Sequence, residues 1–345
     1  MSFYFNPKSV RHFCVGRFLV TVLLSLSLGS CHHNTPIQLY GEAQGTYYSI
    51  QYLDSQQRNL KNQIDSLLAD FDLTASLWVD SSLIRCINSN QTSDINPLFA
   101  DLLTKSLYIN EYTQGAFDCR IGRLVQLWGF SFRQRQEPDS LALDSLLQAA
   151  HAPVTLNGLT LIKDNPATEL DFNAIAQGYA SDLIAAYLDS LGIHNYLVDI
   201  GGEVVAHGTK ENRQAWRVGI ETPAADSVST PIIQSIIALR DASVVTSGSY
   251  RKYYERDGVR YSHTINPATG RPVQHTLLSV SVVERESWLA DAMATAYMVM
   301  GLDSARAFIA AHPNGPGTQA VYFIYDDHGT LATYATPTFE QLIIK

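Results

Sequence analysis

Two hydrophobic rhythms interleave along this chain of 345 residues, and their order limits the folds open to it. Apolar residues at period two mark strands, and apolar residues recurring every 3.6 positions mark helices. A strand from Gly45 to Tyr52 comes first, and Leu60, Ile64, Leu67, Leu68 and Phe71 then form the apolar face of a helix. Pro97 to Tyr112 reads as a second helix, with Pro97 in the first turn where its missing N–H costs nothing. Residues 131 to 150, polar and then helical, read as a surface insertion, and Val154 to Ile162 as a hairpin about Asn157-Gly158. Leu170 to Leu188 reads as a strand end passing through Gly178 into a helix. Strands follow at Tyr196 to Gly208, Trp216 to Glu221 and Ile232 to Leu239, with a hairpin from Arg251 to Tyr261 about Asp257-Gly258. Leu278 to Val283 alternates, Ala290 to Met300 is helical, and Gln319 to Tyr325 with Thr330 to Tyr334 forms a closing hairpin. No regular strand–helix–strand rhythm appears. The pattern therefore predicts an α+β fold, a single large domain of mixed, mainly antiparallel strands with covering helices.

The N-terminus reads as an export signal spanning residues 1–31. Lys8, Arg11, His12 and Arg17 form a basic region, and Phe18 to Leu28 form an apolar run too short for a comfortable membrane span. The run ends in Leu28-Gly29-Ser30-Cys31, the small-residue pattern of a bacterial lipoprotein signal, so the mature chain is expected to start at a lipidated Cys31. Residues 32–39 read as a short tether and residues 40–345 as the functional domain. Cys14 falls in the signal, which leaves Cys86 and Cys119 as either one disulfide or two buried free thiols. A net charge of -9 and the lack of a basic, aromatic-bearing patch argue against nucleic-acid binding.

The chemistry-bearing residues concentrate in the C-terminal third. Thr246-Ser247-Gly248-Ser249 is small and hydroxyl-rich, and His263 precedes an Asn266-Pro267 turn that closes at Gly270. Asp291 and Thr295 stand four apart on an Ala-rich helix, which puts a carboxylate and a hydroxyl on one face. Such hard oxygen donors suit magnesium or calcium better than zinc. An N-cap role for Asp291 is the plainer alternative. Upstream, Gly201-Gly202 permits either a tight strand crossing or close approach to a ligand, and Gly178 with Ala180 permits close helix packing or backbone contact with a phosphate or metal. No G-x-G-x-x-G turn or P-loop lysine occurs, so a nucleotide would bind by another mode.

These segments, in this order, resemble the signature set of the ApbE family of FAD:protein FMN transferases. The matching stretches are Gly115-Ala116-Phe117-Asp118, Ala174 to Asp182, Asp199-Ile200-Gly201-Gly202-Glu203, Ser262 to Gly270 and the Asp291–Thr295 helix. Gln177 stands where the family usually has Lys, and Asn266 where it has Asp. The resemblance implies an ApbE-like, T-fold-like domain with FAD near Gln44, Trp78, Ala116, Phe117, Asp118, Gln177, Leu183 and Ile265. It implies Mg2+ on Asp291, Thr295 and the Ala180 carbonyl, and His263 as the catalytic base for an incoming hydroxyl. Trp78 would stack on a ligand ring, although a core position is its plainer alternative. The implied reaction moves FMN from FAD to a threonine of an exported or membrane redox protein and releases AMP. Hydrolysis of FAD to FMN and AMP, or flavin binding without catalysis, are the alternatives. The implied location is the bacterial cell envelope, lipid-anchored and facing the periplasm.

Overall fold

A hairpin, β1 (Ile37–Ala43) and β2 (Thr46–Tyr52), leads into α1 (Lys61–Ala75), α2 (Leu83–Asn88), α3 (Pro97–Tyr112), α4 (Gly122–Leu127) and α5 (Ser140–Ala150). A small hairpin, β3 (Val154–Asn157) and β4 (Thr160–Lys163), precedes α6 (Ala176–Ser190). Then come β5 (Tyr196–Ile200), β6 (Glu203–His207), β7 (Trp216–Glu221), β8 (Ile233–Leu239) and β9 (Ala242–Gly248). Two short hairpins follow, β10 (Tyr253–Arg256) with β11 (Val259–Ser262) and β12 (Ile265–Asn266) with β13 (Arg271–Pro272). The chain ends through β14 (Leu277–Glu284), α7 (Ser287–Met300), α8 (Leu302–Ala311), β15 (Ala320–Asp327), β16 (Thr330–Ala335) and α9 (Pro337–Leu342). The computed structural model describes residues 35–130, 140–223, 232–249, 253–256 and 259–344, so Cys31 with the expected signal, and residues 131–139 of the expected insertion, lie outside them.

Eight strands form one sheet in the order β1-β2-β5-β6-β9-β14-β15-β16, and every neighbouring pair is antiparallel. Its central strands bury both faces, and period-two alternation sorts their side chains between two cores. Val205, Val245, Val280, Val282, Val321 and Phe323 face the larger core, shared with α1, α3, α6 and α7. Val204, Ala206, Val244, Ala320, Tyr322 and Ile324 face a smaller core closed by Trp216 and Ile220 of β7, Ile237 of β8 and Phe339 of α9. The fold is thus α+β and antiparallel, as the sequence predicts.

Three local outcomes refine the sequence reading. The expected tether ends earlier, because β1 begins at Ile37 and pairs Leu39 with Ile50 at the sheet edge. An edge strand that buries Leu39 but leaves Tyr40 exposed carries too little apolar pattern to be read. Cys86 and Cys119 are free thiols, with Cys119 buried, which settles that alternative in favour of no disulfide. Pro97 sits at the start of α3 as expected, with Asn96 capping it by accepting from the Phe99 N–H at 2.8 Å. Among the described residues no helix is long and apolar enough to cross a membrane.

The β2–α1 loop is fixed by a buried carboxylate. Asp54 accepts the Arg58 N–H at 3.0 Å, Arg58 Nε at 2.7 Å and Nη2 at 3.0 Å, while Arg58 also reaches the Leu191 carbonyl at 3.2 Å. The Arg58 guanidinium holds the Asp54 carboxyl down to about 2. A carboxyl held below its unfolded value stabilises the fold fully above about pH 4 and loses that contribution as pH falls through its folded value. Asp54→Asn should therefore cost about 1–2 kcal/mol in urea unfolding at pH 7, and the gap to wild type should narrow by pH 3. A gap of constant size across that range would contradict the assignment.

Candidate active site

Two helices cap one another at the centre of the molecule. The first N–H groups of a helix lack intrahelical partners and favour an anion. No side chain of its own cap residue, Glu286, serves α7. Instead Asp182 of α6 accepts from Ser287 N–H at 3.0 Å and from Trp288 N–H at 2.9 Å. Reciprocally, Asp291 of α7 accepts from the Gly178 N–H of α6 at 3.0 Å through Oδ2. Gly178 is required for this approach, since a Cβ there would lie 2.4 Å from the Ser287 carbonyl oxygen and 2.8 Å from Asp291 Cβ. Asp291 is thus not the cap of its own helix. It lies inside α7, a turn beyond the start, because Asp182 supplies the cap from outside.

Asp291 is buried and Asp182 half-buried, and desolvation pushes each above the usual carboxylate range. The backbone donors pull the other way, while the charge of Asp182 raises Asp291 further. The pair is thus an acidic centre short of positive charge. One turn along α7, Thr295 Oγ1 stands 3.3 Å from Ser247 Oγ on β9, and Thr246 Oγ1 beside it is 2.7 Å from Ser281 Oγ. Of the hydroxyl-rich segment, Ser247 lines the face of α7 that bears Thr295, while Thr246 points to the other face of the sheet. Ala180 is fully buried in the second turn of α6, where its carbonyl joins the helical ladder and keeps one lone pair to offer.

Two tight turns close on the start of α6. Gly201, at φ +65°, turns β5 into β6, and a Cβ on it would meet Thr46 Cγ2 at 2.7 Å and Gln177 Nε2 at 2.8 Å. Gln44, at φ +54°, turns β1 into β2, and its backbone N–H bonds to the carboxylate of Asp72 on α1. Both polar atoms of the Gln44 amide are buried without a hydrogen-bond partner. A buried amide left unmatched is costly unless a ligand completes it. Phe71 of α1 stacks on Tyr179 of α6 at 5.9 Å, which draws the end of α1 to the same place. Trp78 follows in the next turn and is 59% exposed, so it is no core residue.

The remaining residues implied by the family resemblance divide by what their side chains already do. Phe117 is buried in the main core, and Asp118 is held by Arg120 at 2.8 Å, so the Ala116–Asp118 turn can meet a ligand only through its backbone or Ala116. Leu183 packs half-buried against the main core. Ile265 is buried in a satellite core with Leu124, Trp128 and Leu143. That core anchors the loop bearing His263, whose ring lies edge-on to Phe130 at 6.3 Å. Asn266 builds the turn as a family Asp would, accepting from the Ala268 N–H at 2.9 Å, while Trp128 Nε1 donates to the Gly270 carbonyl at 2.7 Å. Sequence reasoning gave no role to Asp182, although its position four residues beyond Gly178 places both on one helical face.

Residues 44–321 match the model of the ApbE family. The chain is 35% identical to the FAD:protein FMN transferase of Vibrio cholerae serotype O1 over 95% of this chain and 99% of that one. It is 34% identical to the Escherichia coli K12 protein of the same name, covering 89% of each. The solved flavin transferase ApbE from Vibrio cholerae superposes with a TM-score of 0.77 over 89% of this chain and 99% of its own, at 32% identity. The apo flavinyl transferase ApbE of Pseudomonas stutzeri gives a TM-score of 0.78 at 30% identity, over 89% of this chain and 96% of its own. The chain belongs to the ApbE family. Like these relatives, it is a transferase.

The contact at Gly178 yields a test. Gly178→Ala should destabilise the protein by about 1–3 kcal/mol in urea unfolding, because the added methyl meets backbone that cannot turn aside. It should also weaken the Asp291 hydrogen bond by parting the helix starts. A change within about 0.5 kcal/mol, the range of a neutral surface substitution, would show that the two helices are not held this closely.

Proposed function

We propose that this chain transfers FMN from FAD to a threonine hydroxyl of an exported or membrane redox protein, releasing AMP, with Mg2+ held between α6 and α7. The observation carrying this reading is the Asp182–Asp291 centre at the start of α6, together with the unmatched buried amide of Gln44. The donor set fits the metal: among the described residues Asp291 Oδ1 has no hydrogen-bond partner, and Thr295 Oγ1 and the Ala180 carbonyl are hard, uncharged oxygens. Bound there, Mg2+ would neutralise charge on the FAD diphosphate and on the departing AMP.

The chain's own residues supply the rest. Gln44, with a donor and an acceptor on one amide, matches a heterocycle edge that carries both, and Trp78 gives a ring face for stacking. Gln177, against Gly201, would hydrogen-bond the ligand near the start of α6. His263 accepts the threonine proton as the threonine oxygen bonds to the flavin-side phosphorus and the bond from that phosphorus to the AMP oxygen breaks. Lipidation of Cys31 would hold the enzyme at the envelope, facing the periplasm, within reach of membrane redox subunits.

Incubating the full chain with FAD, Mg2+ and an exported redox subunit bearing a D-x-x-[ST]-x-A-T-like motif tests the reading. Mass spectrometry should find one phosphodiester-linked FMN on the motif threonine, with AMP released in equal amount. Asp291→Ala should abolish transfer. His263→Ala should slow it by roughly a hundred- to ten-thousand-fold while FAD affinity stays near wild type. In the same cells the wild type should fractionate with membranes and Cys31→Ala should not. Release of AMP with no flavin on the acceptor would replace transfer by hydrolysis, and an active Asp291→Ala would remove the metal assignment.

A further inference from the structure

At the opposite end of α6 from Gly178, and of the β5–β6 hairpin from Gly201, three ligand-bearing side chains converge. Asp189 comes from the last turn of α6, His194 from the loop into β5, and His207 from the end of β6. One ligand atom from each lies within 4.8 Å of the others. Asp189 Oδ1 is 3.1 Å from His194 Nδ1 and 3.6 Å from His207 Nδ1. A tetrahedral zinc with bonds of about 2.0–2.1 Å has ligand-to-ligand edges of about 3.4 Å. The two separations bracket that edge.

Three observations favour a cation over a plain ion-pair cluster. His207 Nδ1 is buried and has no hydrogen-bond partner among the described residues, the Asp189 carboxylate standing off at 3.6 Å, while Asp241 lies beside the other ring nitrogen. A buried imidazole nitrogen without a proton partner is rare unless a metal satisfies it. The surrounding groups are those that orient metal ligands: Tyr196 Oη donates to Asp189 Oδ2 at 3.1 Å, and Asp241 Oδ1 lies 3.6 Å from His207 Nε2. The carbonyl end of α6 also favours a positive charge at this place. Asp189 and His194 are exposed, so an ion has an open path and water can fill a fourth position.

We propose that Asp189, His194 and His207 bind a zinc ion that ties the C-terminal end of α6 to β5 and β6. Imidazole and carboxylate together select a borderline transition metal and leave Mg2+ to the all-oxygen centre at the other end of the helix. The two sites are separated by about the length of a five-residue strand, roughly 17 Å. The zinc would brace the helix whose opposite end presents Gln177, Gly178 and Asp182, without touching FAD.

The test is a Zn2+ titration of the full chain in detergent against a chromophoric chelator, with excess Mg2+ present to fill the oxygen site. Wild type should take up one more equivalent of zinc than His194→Ala, His207→Ala or Asp189→Asn. Other zinc-binding side chains, such as Cys31, His32 and His33, are common to all four proteins, so the difference reports this cluster alone. Zinc should raise the Tm of wild type and leave that of the three variants unchanged, with circular dichroism showing that each variant is folded. Equal zinc uptake by all four, or an equal Tm response, would overturn the proposal.

Discussion

The exchange of caps between α6 and α7 is the interaction on which the rest of the site depends. Each helix lends a carboxylate to the other's start, so neither is capped by its own sequence neighbours. The arrangement requires a glycine at 178, where any side chain would collide with the Ser287 carbonyl. It also draws two acids away from water, Asp291 fully and Asp182 in part, and taking a carboxylate out of water costs several kcal/mol. The backbone donors offset part of that cost, and a cation with the diphosphate it carries would offset more. On this account the centre is left electrostatically incomplete in the free protein and becomes complete when substrate arrives.

The sheet makes that strained centre tolerable. Its central strands are covered on both faces, by the large core under α1, α3, α6 and α7 and by the β7–β8 hairpin with α9 behind. Positions along β14 and β15 alternate between these cores, so a shift of register would expose apolar residues on both sides at once. The helices are therefore held to the sheet by burial that does not depend on the acidic pair. The loop bearing His263 rests on a separate satellite core with Trp128 and Ile265, which supports the proposed base independently of the proposed metal ligands.

Much of this was legible in the sequence, for identifiable reasons. The four-residue spacing of Asp291 and Thr295 reports a helical face whatever the fold, and the structure puts both on α7 beside Ser247. Asn157-Gly158 marks a turn by local chemistry alone, and it occurs; Gly201-Gly202 reads as part of one strand from Tyr196 to Gly208, whereas positive φ at both glycines folds that stretch into the β5–β6 hairpin. What was not legible depends on contacts distant in the chain. Asp182 caps a helix more than a hundred residues away, and no local pattern announces it. Phe117 and Asp118 belong to a motif that suggests ligand contact, yet their side chains serve the core and Arg120. The edge strand β1 was hidden because pairing with β2, not its own apolar content, makes it a strand.

The central claim is that Asp291 and Thr295 hold the cation against the start of α6. The most direct measurement is an anomalous difference map from crystals of the full chain with FAD and Mn2+ in place of Mg2+. The account predicts a manganese peak at ordinary metal–oxygen distance from Asp291 Oδ1 and Thr295 Oγ1, with the FAD diphosphate on its open side. A peak away from α7, or none beside Asp291 while FAD is bound, would contradict it.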